Sequence, residues 1–432
     1  MVFTKKNKST MRKIIVIGSG ISGLSISRML SEENENEVEI LERAELHGGL
    51  IKCKRIDGNL FHLVGGHVFN SRNTTVLDWF WKHFDVDNEF IKTNRNAKIL
   101  MNETLIGYPI ENYIYQLPEK QLTPILNELL DKLSSGEKKI DDYENFKDFL
   151  IGNFGEELFK LYFGPYNTKI WNTDLSKVPL EWLDGKLPMP NLREVLFSNI
   201  VKKEESSMVH STFFYPRKNG SQFIVDRLSE GLTINKGYDV QSIEYLDDQS
   251  LSINNGDKIV NSIVYCGDVR KLHNIIKIND EKLSSALKSL TDLLSNGTSN
   301  VLCETDENDI SWLYLPEEKF QAHRIIYTGN FSESNNDGSN RKTCVVEFSG
   351  KQDQDYMVKE LAMLPGNLKP LAFNYEPNSY IIQDEDTREK ITLLKDLLKP
   401  YGIFLLGRFA EWEYYNMDKC IEAAMDLKRL NF

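Results

Sequence analysis

One stretch near the amino end decides the fold: residues 13–30 read KIIVIGSGISGLSISRML. Its first residues form a short β-branched run that ends at a glycine, which predicts a buried strand. The apolar residues that follow recur at helical spacing, and residues 37–42, EVEILE, predict a second strand. The stretch therefore predicts a strand–helix–strand unit that begins near residue 12.

The turn between the first strand and the helix carries Gly18, Gly20 and Gly23 in the pattern GxGxxG. The first glycine allows a tight turn, the second lets a pyrophosphate approach the backbone, and the third lets the helix pack on the strand. Glu42 ends the second strand, at the distance where an acid can bind ribose hydroxyls. These residues predict a dinucleotide site; the alternative is a glycine-bearing turn without a ligand.

Bulk composition excludes several classes of function. The chain has 432 residues and a net charge of −12, which argues against nonspecific binding to nucleic acid or anionic lipid. Five cysteines without a CxxC pair and seven histidines without a cluster favour reduced thiols and argue against a metal site. Since no apolar run reaches membrane-spanning length, we expect a soluble, cytoplasmic protein.

The pattern along the chain predicts an α/β fold class with a discontinuous Rossmann-like domain. Aromatic-rich segments with helical spacing interrupt the strand signals, and the chain ends in a strand, a turn and a helix. We predict a dinucleotide-binding domain from three segments, an inserted mainly helical domain, and a mixed α+β sheet domain. The predicted dinucleotide-binding domain comprises residues 11–75, 211–275 and 396–432. The mainly helical domain comprises residues 76–210, and the mixed sheet domain comprises residues 276–395.

The stretch ERAELHGG runs from Glu42 to Gly48 and Gly49. It resembles the amino-terminal signature of FAD-dependent enzymes of the amine oxidase and glutathione reductase type. The resemblance implies that the resident dinucleotide is FAD. No second GxGxxG is present in the sequence to mark a separate nicotinamide domain.

Further segments resemble UDP-galactopyranose mutases, especially those of the eukaryotic type. FHLVGGHVF, residues 61–69, is similar to the segment that lies against the flavin in that family. LLGRFAEWEYYNM, residues 405–417, resembles its closing segment, which opens a last helix whose amino end can stabilise negative charge. The fingerprint and the resemblance together assign these residues to FAD: Gly18, Gly20, Ser22, Gly23, Glu42, Arg43, Gly48, Gly49, Gly66, His67, Val240, Gly407, Arg408, Asn416 and Met417.

Other segments resemble the nucleotide-sugar cleft of the same family, among them YPIEN, PYNTKIW, SWLYLP and NSYII. The resemblance implies catalytic roles for Arg324, Lys186 and His67. A guanidinium can bind phosphate oxygens in bidentate fashion, so Arg324 is the first candidate for a diphosphate. The substrate-binding residues that the resemblance implies are Tyr108, Tyr166, Asn167, Trp171, Tyr314, Tyr380 and Tyr414.

The activity implied by the resemblance is an isomerisation without net redox change. It interconverts UDP-galactopyranose and UDP-galactofuranose, a step of cell-surface polysaccharide biosynthesis, and uses reduced FAD as the nucleophile. The implied partners are a nucleotide-sugar substrate, UDP-galactose first, and an external reductant such as NAD(P)H. Nucleic acid and membrane are not expected as partners, and a homo-oligomer is left open.

Several positions depart from the family pattern, and two of them change a polar group expected in the substrate cleft. Lys186 stands where the family has a loop arginine, so the charge is kept and the bidentate fork is lost. Glu111 stands where eukaryotic members have a glutamine at the uracil, and a carboxylate cannot donate unless it is protonated. The base and sugar therefore stay open. Two other functions also stay open: an FAD-dependent oxidoreductase of the amine oxidase or protoporphyrinogen oxidase type, and a flavoprotein that binds nucleotide sugars without isomerising them.

Overall fold

The computed structural model describes residues 11–135, 140–180, 191–202 and 212–432. The strands in these ranges are β1 Arg12–Ile17, β2 Asn36–Glu42, β3 Cys53–Ile56, β4 Asn59–His62, β5 Phe90–Asn94, β6 Ala97–Met101, β7 Thr104–Gly107, β8 Thr212–Pro216, β9 Thr233–Lys236, β10 Ile243–Tyr245, β11 Leu251–Ile253, β12 Lys258–Val260, β13 Ser262–Tyr265, β14 Leu294–Thr305, β15 Trp312–Tyr314, β16 Ala322–Ile326, β17 Lys342–Ser349, β18 Lys369–Ile382 and β19 Ile403–Leu405. The helices are α1 Ile21–Ser31, α2 Thr74–Trp81, α3 Val86–Glu89, α4 Glu119–Ser135, α5 Phe146–Phe154, α6 Glu156–Leu158, α7 Gly164–Trp171, α8 Leu192–Val201, α9 Gly220–Ser229, α10 Leu272–Ile275, α11 Glu281–Ser289, α12 Gln354–Leu361, α13 Thr387–Leu398 and α14 Met417–Asn431.

A five-stranded parallel sheet has the order β19-β13-β1-β2-β9. Its strands come from three separated parts of the chain, so the chain leaves this sheet and returns to it. Because β1 is covered on both faces, its apolar residues are buried without alternation. Ile14 and Val16 pack in the cluster that contains α1 and α14, and Ile15 packs in the cluster on the opposite face. The predicted Rossmann-like sheet from discontinuous segments is confirmed.

A second, seven-stranded sheet has the order β18-β14-β17-β16-β15-β6-β7. Its neighbours pair antiparallel except β15 and β6, which run parallel. The mixed sheet of the predicted fold class is therefore present. Two of its strands, β6 and β7, come from the part of the chain that we predicted as mainly helical. We keep the three domain boundaries as a proposal.

Helices α4 to α8 pack beside the seven-stranded sheet through an aromatic-rich core that includes Phe146, Phe149 and Tyr162. Tyr166 and Trp171 on α7 belong to the same core as Tyr314 on β15 and Tyr380 on β18. This packing places α7 against the sheet and brings these aromatic residues together around the predicted nucleotide-sugar cleft. Among the helices of the described ranges, none is long and apolar enough to cross a membrane.

Candidate functional site

The turn after β1 has the geometry that its glycines predict. Gly18 has a φ of +106°, which L side chains rarely adopt. A Cβ atom on Gly23 would lie 2.0 Å from the carbonyl oxygen of Gly18, so only glycine lets α1 pack this closely. A Cβ atom on Gly20 would lie 3.6 Å from the Cα atom of Gly49, which brings the second glycine pair beside the turn. The amino end of α1 therefore opens beside four glycines, as a pyrophosphate site requires.

The Glu42 carboxylate is fixed at the end of β2. Its Oε2 accepts hydrogen bonds from the Ser19 backbone N at 2.9 Å and from Ser19 Oγ at 2.5 Å, and its Oε1 accepts one from the Ala44 backbone N at 2.8 Å. A carboxylate has about four acceptor positions, so capacity remains for a ribose hydroxyl. The acid is thus held beside the glycine turn as the sequence predicts.

The closing segment lies beside the same turn. Gly407 has a φ of +95°, and a Cβ atom there would lie 2.5 Å from Ser22 Oγ on α1. The guanidinium of Arg408 lies over the ring of Tyr414, 4.0 Å from its centroid. Helix α14 then begins at Met417 with Asn416 as its N-cap. Val240 is buried in the apolar cluster that also contains Leu41, the residue before Glu42.

His67 lies in the segment predicted to face the flavin, close to Arg324. A Cβ atom on Gly65 would lie 3.6 Å from Arg324 Nη2 and 3.8 Å from His67 Nε2, so these groups share one corner. Burial, together with the charges of Arg408 and Arg324, lowers the pKa of His67 to about 4. His67 Nε2 is buried with no hydrogen-bond partner in the described ranges. The imidazole is therefore neutral at pH 7 and directs an unused nitrogen into the site.

The aromatic residues predicted for the substrate meet in one cleft. The ring of Tyr314 stacks on Tyr108 at 4.5 Å and meets Tyr166 edge-on at 5.5 Å. On the other side, Trp171 lies 5.6 Å from the ring of Tyr380 and 6.1 Å from that of Tyr414. Asn167 lies on α7 and donates from Nδ2 to the Phe163 carbonyl at 2.8 Å. Lys186 lies outside the described residues.

Arg324 supplies a positive charge to this cleft. Its side chain is 22% exposed; its Nε donates to Glu347, and its Nη2 donates to the Tyr380 hydroxyl at 3.1 Å. Burial by itself would lower the pKa of Arg324, but the Glu347 carboxylate more than offsets this and raises the pKa. The guanidinium stays charged and has one edge directed away from its carboxylate partner.

Sequence reasoning missed three charged residues around the cleft. Arg95 donates from Nη2 to the Tyr314 hydroxyl at 2.9 Å and lies 4.8 Å from the centroid of the Tyr108 ring. Lys169 donates to three backbone carbonyls of residues 315–320, at 2.7 to 2.9 Å. Glu347 is 1% exposed within an apolar strand. A single carboxylate in the buried strand β17 could have indicated a special role for Glu347. Arg95 and Lys169 have the sequence contexts of ordinary surface cations.

Glu111 is the residue that departs from the family pattern near the base. Burial raises the pKa of its carboxyl to about 7. Its charge also raises the pKa values of Tyr108 and Tyr162, which places the carboxyl among the cleft tyrosines. Near neutral pH a substantial fraction of this side chain is therefore protonated and can donate a hydrogen bond.

Comparisons with known proteins agree with this architecture. A family model described as an NAD(P)-binding Rossmann-like domain matches residues 16–84. The UDP-galactopyranose mutase of Mycoplasma genitalium is 25% identical over 94% of this chain and 92% of that protein. The dTDP-fucopyranose mutase of Escherichia coli is 29% identical over 41% of this chain and 46% of that protein.

Solved structures show the same fold. A reduced UDP-galactopyranose mutase superimposes with a TM-score of 0.84 over 97% of this chain and 94% of that chain, at 19% identity. A protein described as a protoporphyrinogen oxidase from Exiguobacterium superimposes with a TM-score of 0.71 over 97% of this chain and 98% of that chain, at 13% identity. By sequence over nearly its whole length and by fold, the chain is similar to UDP-galactopyranose mutases, and it contains an FAD/NAD(P)-binding Rossmann domain.

Proposed function

We propose that the protein is a flavin-dependent isomerase that interconverts the pyranose and furanose forms of a nucleotide sugar, in the first instance UDP-galactose. One observation carries the proposal: Arg324 and the Tyr380 hydroxyl share a cleft with the segment predicted to face the flavin. An anion bound by this pair would lie next to that segment. The sugar attached to such an anion would then reach the flavin.

The residues present fit FAD as the resident cofactor. The amino end of α1 and the glycines beside it suit a pyrophosphate, and Glu42 suits a ribose. The buried and unpartnered His67 Nε2 and Arg408 Nε are polar atoms that a flavin ring system would satisfy. Bound FAD in its reduced form supplies the nucleophilic character that the anomeric carbon requires.

Binding of the diphosphate falls to the side chains of the cleft. Arg324 contributes a fixed positive charge, which an acidic chain needs locally if it is to bind an anion. The hydroxyl of Tyr380 accepts from Arg324, and that of Tyr314 accepts from Arg95, so each hydroxyl proton is free to point elsewhere. Both protons can be donated to phosphate oxygens.

The aromatic walls orient the sugar and exclude water. Tyr166, Trp171 and Tyr380 are each at most 8% exposed, so the lining of the cleft is largely dehydrated. In such surroundings the attraction between Arg324 and a phosphate is stronger than in water. His67 is neutral at pH 7 and can accept a hydrogen bond from a sugar or flavin group, or take up a proton, at Nε2.

A dTDP-linked pyranose is a second candidate substrate. The similarity to the Escherichia coli protein named dTDP-fucopyranose mutase supports it. Thymine and uracil share the same pattern of carbonyl and N–H groups, so a protonated Glu111 would suit both bases. The two substrates differ in the base methyl group, the ribose hydroxyl and the sugar.

The test incubates the dithionite-reduced protein with UDP-galactofuranose, UDP-galactopyranose and dTDP-fucopyranose, and resolves the products by chromatography. We expect interconversion of at least one pyranose–furanose pair, and none with the oxidised protein. NAD(P)H replaces dithionite in a second series to test it as the reductant. A protein that retains FAD and converts no nucleotide sugar would contradict the proposal. Reduction of the flavin by amine or porphyrinogen substrates, followed by fast reoxidation by oxygen in air, would then favour the oxidase alternative.

A further inference from the structure

A row of directly paired polar residues runs across five neighbouring strands of the seven-stranded sheet, from β18 to β15. The register pairs Asn374 with Asn300, Asn300 with Glu347, Glu347 with Arg324, and Arg324 with Tyr314. Residues that pair directly on neighbouring strands project from the same face of a sheet. The row therefore connects the Glu347 position in the middle of the sheet to the cleft at Tyr314.

An irregularity in β16 brings two consecutive side chains to the same carboxylate. Ala322 pairs with Phe348 and Arg324 pairs with Glu347, so the register shifts at His323. Regular alternation would place His323 and Arg324 on opposite faces, whereas a bulge redirects a side chain. Here His323 Nε2 lies 3.2 Å from Glu347 Oε2, and Arg324 Nε contacts the same oxygen.

The Glu347 carboxylate is ionised in spite of its burial. It is 1% exposed, and the His323 side chain is fully buried. Burial alone would raise the pKa of Glu347, but Arg324 and His323 hold it well below its usual value. A buried carboxylate without its partners is strongly unfavourable, so the ion pair does not open readily. The Nε side of Arg324 is thus held in place.

We propose that Glu347 is a positioning residue for the substrate. Through the bulge at His323, it fixes the plane of the Arg324 guanidinium, so that the Nη2 edge faces Tyr380 and the bound diphosphate. Glu347 itself stays beneath Arg324 and acts through it. This inference rests on the proposed function of the cleft.

Loss of the Glu347 charge and loss of its contact with Arg324 should change diphosphate binding in opposite directions. The sign of the change in the Kd of UDP therefore distinguishes the two roles. A carboxylate near a diphosphate repels it, so removal of the charge alone would tighten binding. A guanidinium that is no longer fixed loses its bidentate alignment and regains rotamers that binding must freeze again, which weakens binding. Positioning therefore predicts weaker binding after loss of Glu347, against the simple electrostatic expectation.

The experiment measures the Kd of UDP for the FAD-loaded, full-length protein and for Glu347→Gln and Glu347→Asp. We expect about tenfold weaker binding for Glu347→Gln, with a higher KM for the nucleotide sugar and unchanged flavin content. Glu347→Asp keeps the charge and shortens the side chain by one methylene, so we expect weaker binding there too. If Glu347→Gln does not fold, the Kd of UDP for Glu347→Asp alone tests the inference.

Two controls make the result specific. Glu304→Gln alters another glutamate of the same sheet, which pairs with Arg341 at 3.6 Å, and should leave the Kd of UDP unchanged. In an Arg324→Met background, Glu347→Gln should not change the Kd of UDP any further, because the two residues act on binding as one unit. Unchanged or tighter UDP binding in the Glu347 variants that fold would overturn the inference. An unaltered protein that holds FAD and does not bind UDP would instead overturn the proposed function, and this inference with it.

Discussion

The turn after β1 and the cleft around Arg324 both suit phosphate groups, but they are built in different ways. The turn uses backbone groups of residues that are close in sequence, and its close packing depends on glycines, which have no Cβ atom. The cleft uses charged and phenolic side chains from distant segments, which only the sheet register and the packing of α7 bring together. Binding at the turn should therefore be lost when one added methyl group overlaps the backbone. Binding at the cleft should be lost when a charge or its alignment is removed.

The largest loss of function is expected for Gly23→Ala, which tests the role of steric fit at the turn. The added Cβ would lie 2.0 Å from the Gly18 carbonyl oxygen, so α1 would have to move away from β1. We expect the free energy of unfolding to fall by about 1–3 kcal/mol or more, and dinucleotide binding to be lost. Thermal unfolding and the absorbance of purified protein at flavin wavelengths measure both.

Gly20→Ala is the matched control for this variant. Its Cβ would lie 3.6 Å from the Gly49 Cα, an ordinary contact, so the fold should persist. The methyl group would occupy the space expected for the pyrophosphate, so flavin content should fall without a comparable loss of stability. A Gly23→Ala protein with full flavin content and normal stability would show that the turn is not sterically defined.

Arg324→Met tests the side-chain half, with the next largest effect. Loss of the charge should lower kcat/KM by about 10²–10⁴-fold with flavin retained. It also leaves Glu347 buried without its partner, which should cost about 3–5 kcal/mol of stability.

The double variant Arg324→Met with Glu347→Gln separates these two losses. It removes both charges, so stability should recover toward that of the unaltered protein while activity stays low. Kinetics and denaturant unfolding of the three proteins provide the comparison. Near-normal kcat/KM in either variant would remove Arg324 from the mechanism.

The two sites also differ in how far the sequence could predict them. The fold class and the glycine turn are local patterns, because a β-branched run, three glycines and an acid at fixed spacing act over a few tens of residues. The placement of Glu42 followed directly from that spacing. The roles of the aromatic residues came from resemblance to a family, and the structure places those rings in one cleft.

Contacts that depend on register or long-range packing were not predictable from the sequence. Glu347 meets Arg324 because β16 and β17 pair with a shift at His323, and nothing local marks that shift. Arg95 lies in a polar turn that is typical of a surface loop, yet it reaches the Tyr314 hydroxyl. Lys169 has the sequence context of an exposed helical lysine, and its buried contacts depend on how α7 packs. Long-range pairing decides all three.

Lys169→Met tests whether the hydrogen bonds of Lys169 to backbone carbonyls set the width of the cleft. The ammonium group joins α7, which carries Tyr166, to the carbonyls of the segment that follows Tyr314. Without these hydrogen bonds we expect KM to rise about tenfold with a smaller change in kcat, since the walls would no longer be held at one spacing.

Lys160→Met is the control for this variant. Lys160 precedes α7, is 60% exposed and pairs with Glu156, so its loss should leave KM unchanged. Steady-state kinetics at several pH values measure both variants. Equal KM values in the two would mean that the Lys169 contacts serve the fold and not the cleft.

The smallest effect concerns Glu111 and follows from the direction of its pKa shift. Burial raises the pKa of this carboxyl to about 7, above its usual value of 4.5. Since the folded state holds the proton more tightly than the unfolded state, stability falls as pH rises from about 4.5 to about 7. The same proton allows donation to a base carbonyl, and that donation is lost as the pH rises through about 7.

Glu111→Gln removes this titration and keeps a donor at every pH. We expect UDP affinity of the unaltered protein to fall about three- to tenfold between pH 6 and pH 8, because the carboxyl ionises, and that of Glu111→Gln to stay nearly constant. Fluorescence titrations with UDP across this range measure the difference, and Glu376→Gln, at a carboxyl on β18 whose pKa burial also raises, controls for a general effect of pH. If both Glu111 forms show the same pH profile, then Glu111 does not contact the base, and the specificity of the cleft depends on its aromatic and cationic residues.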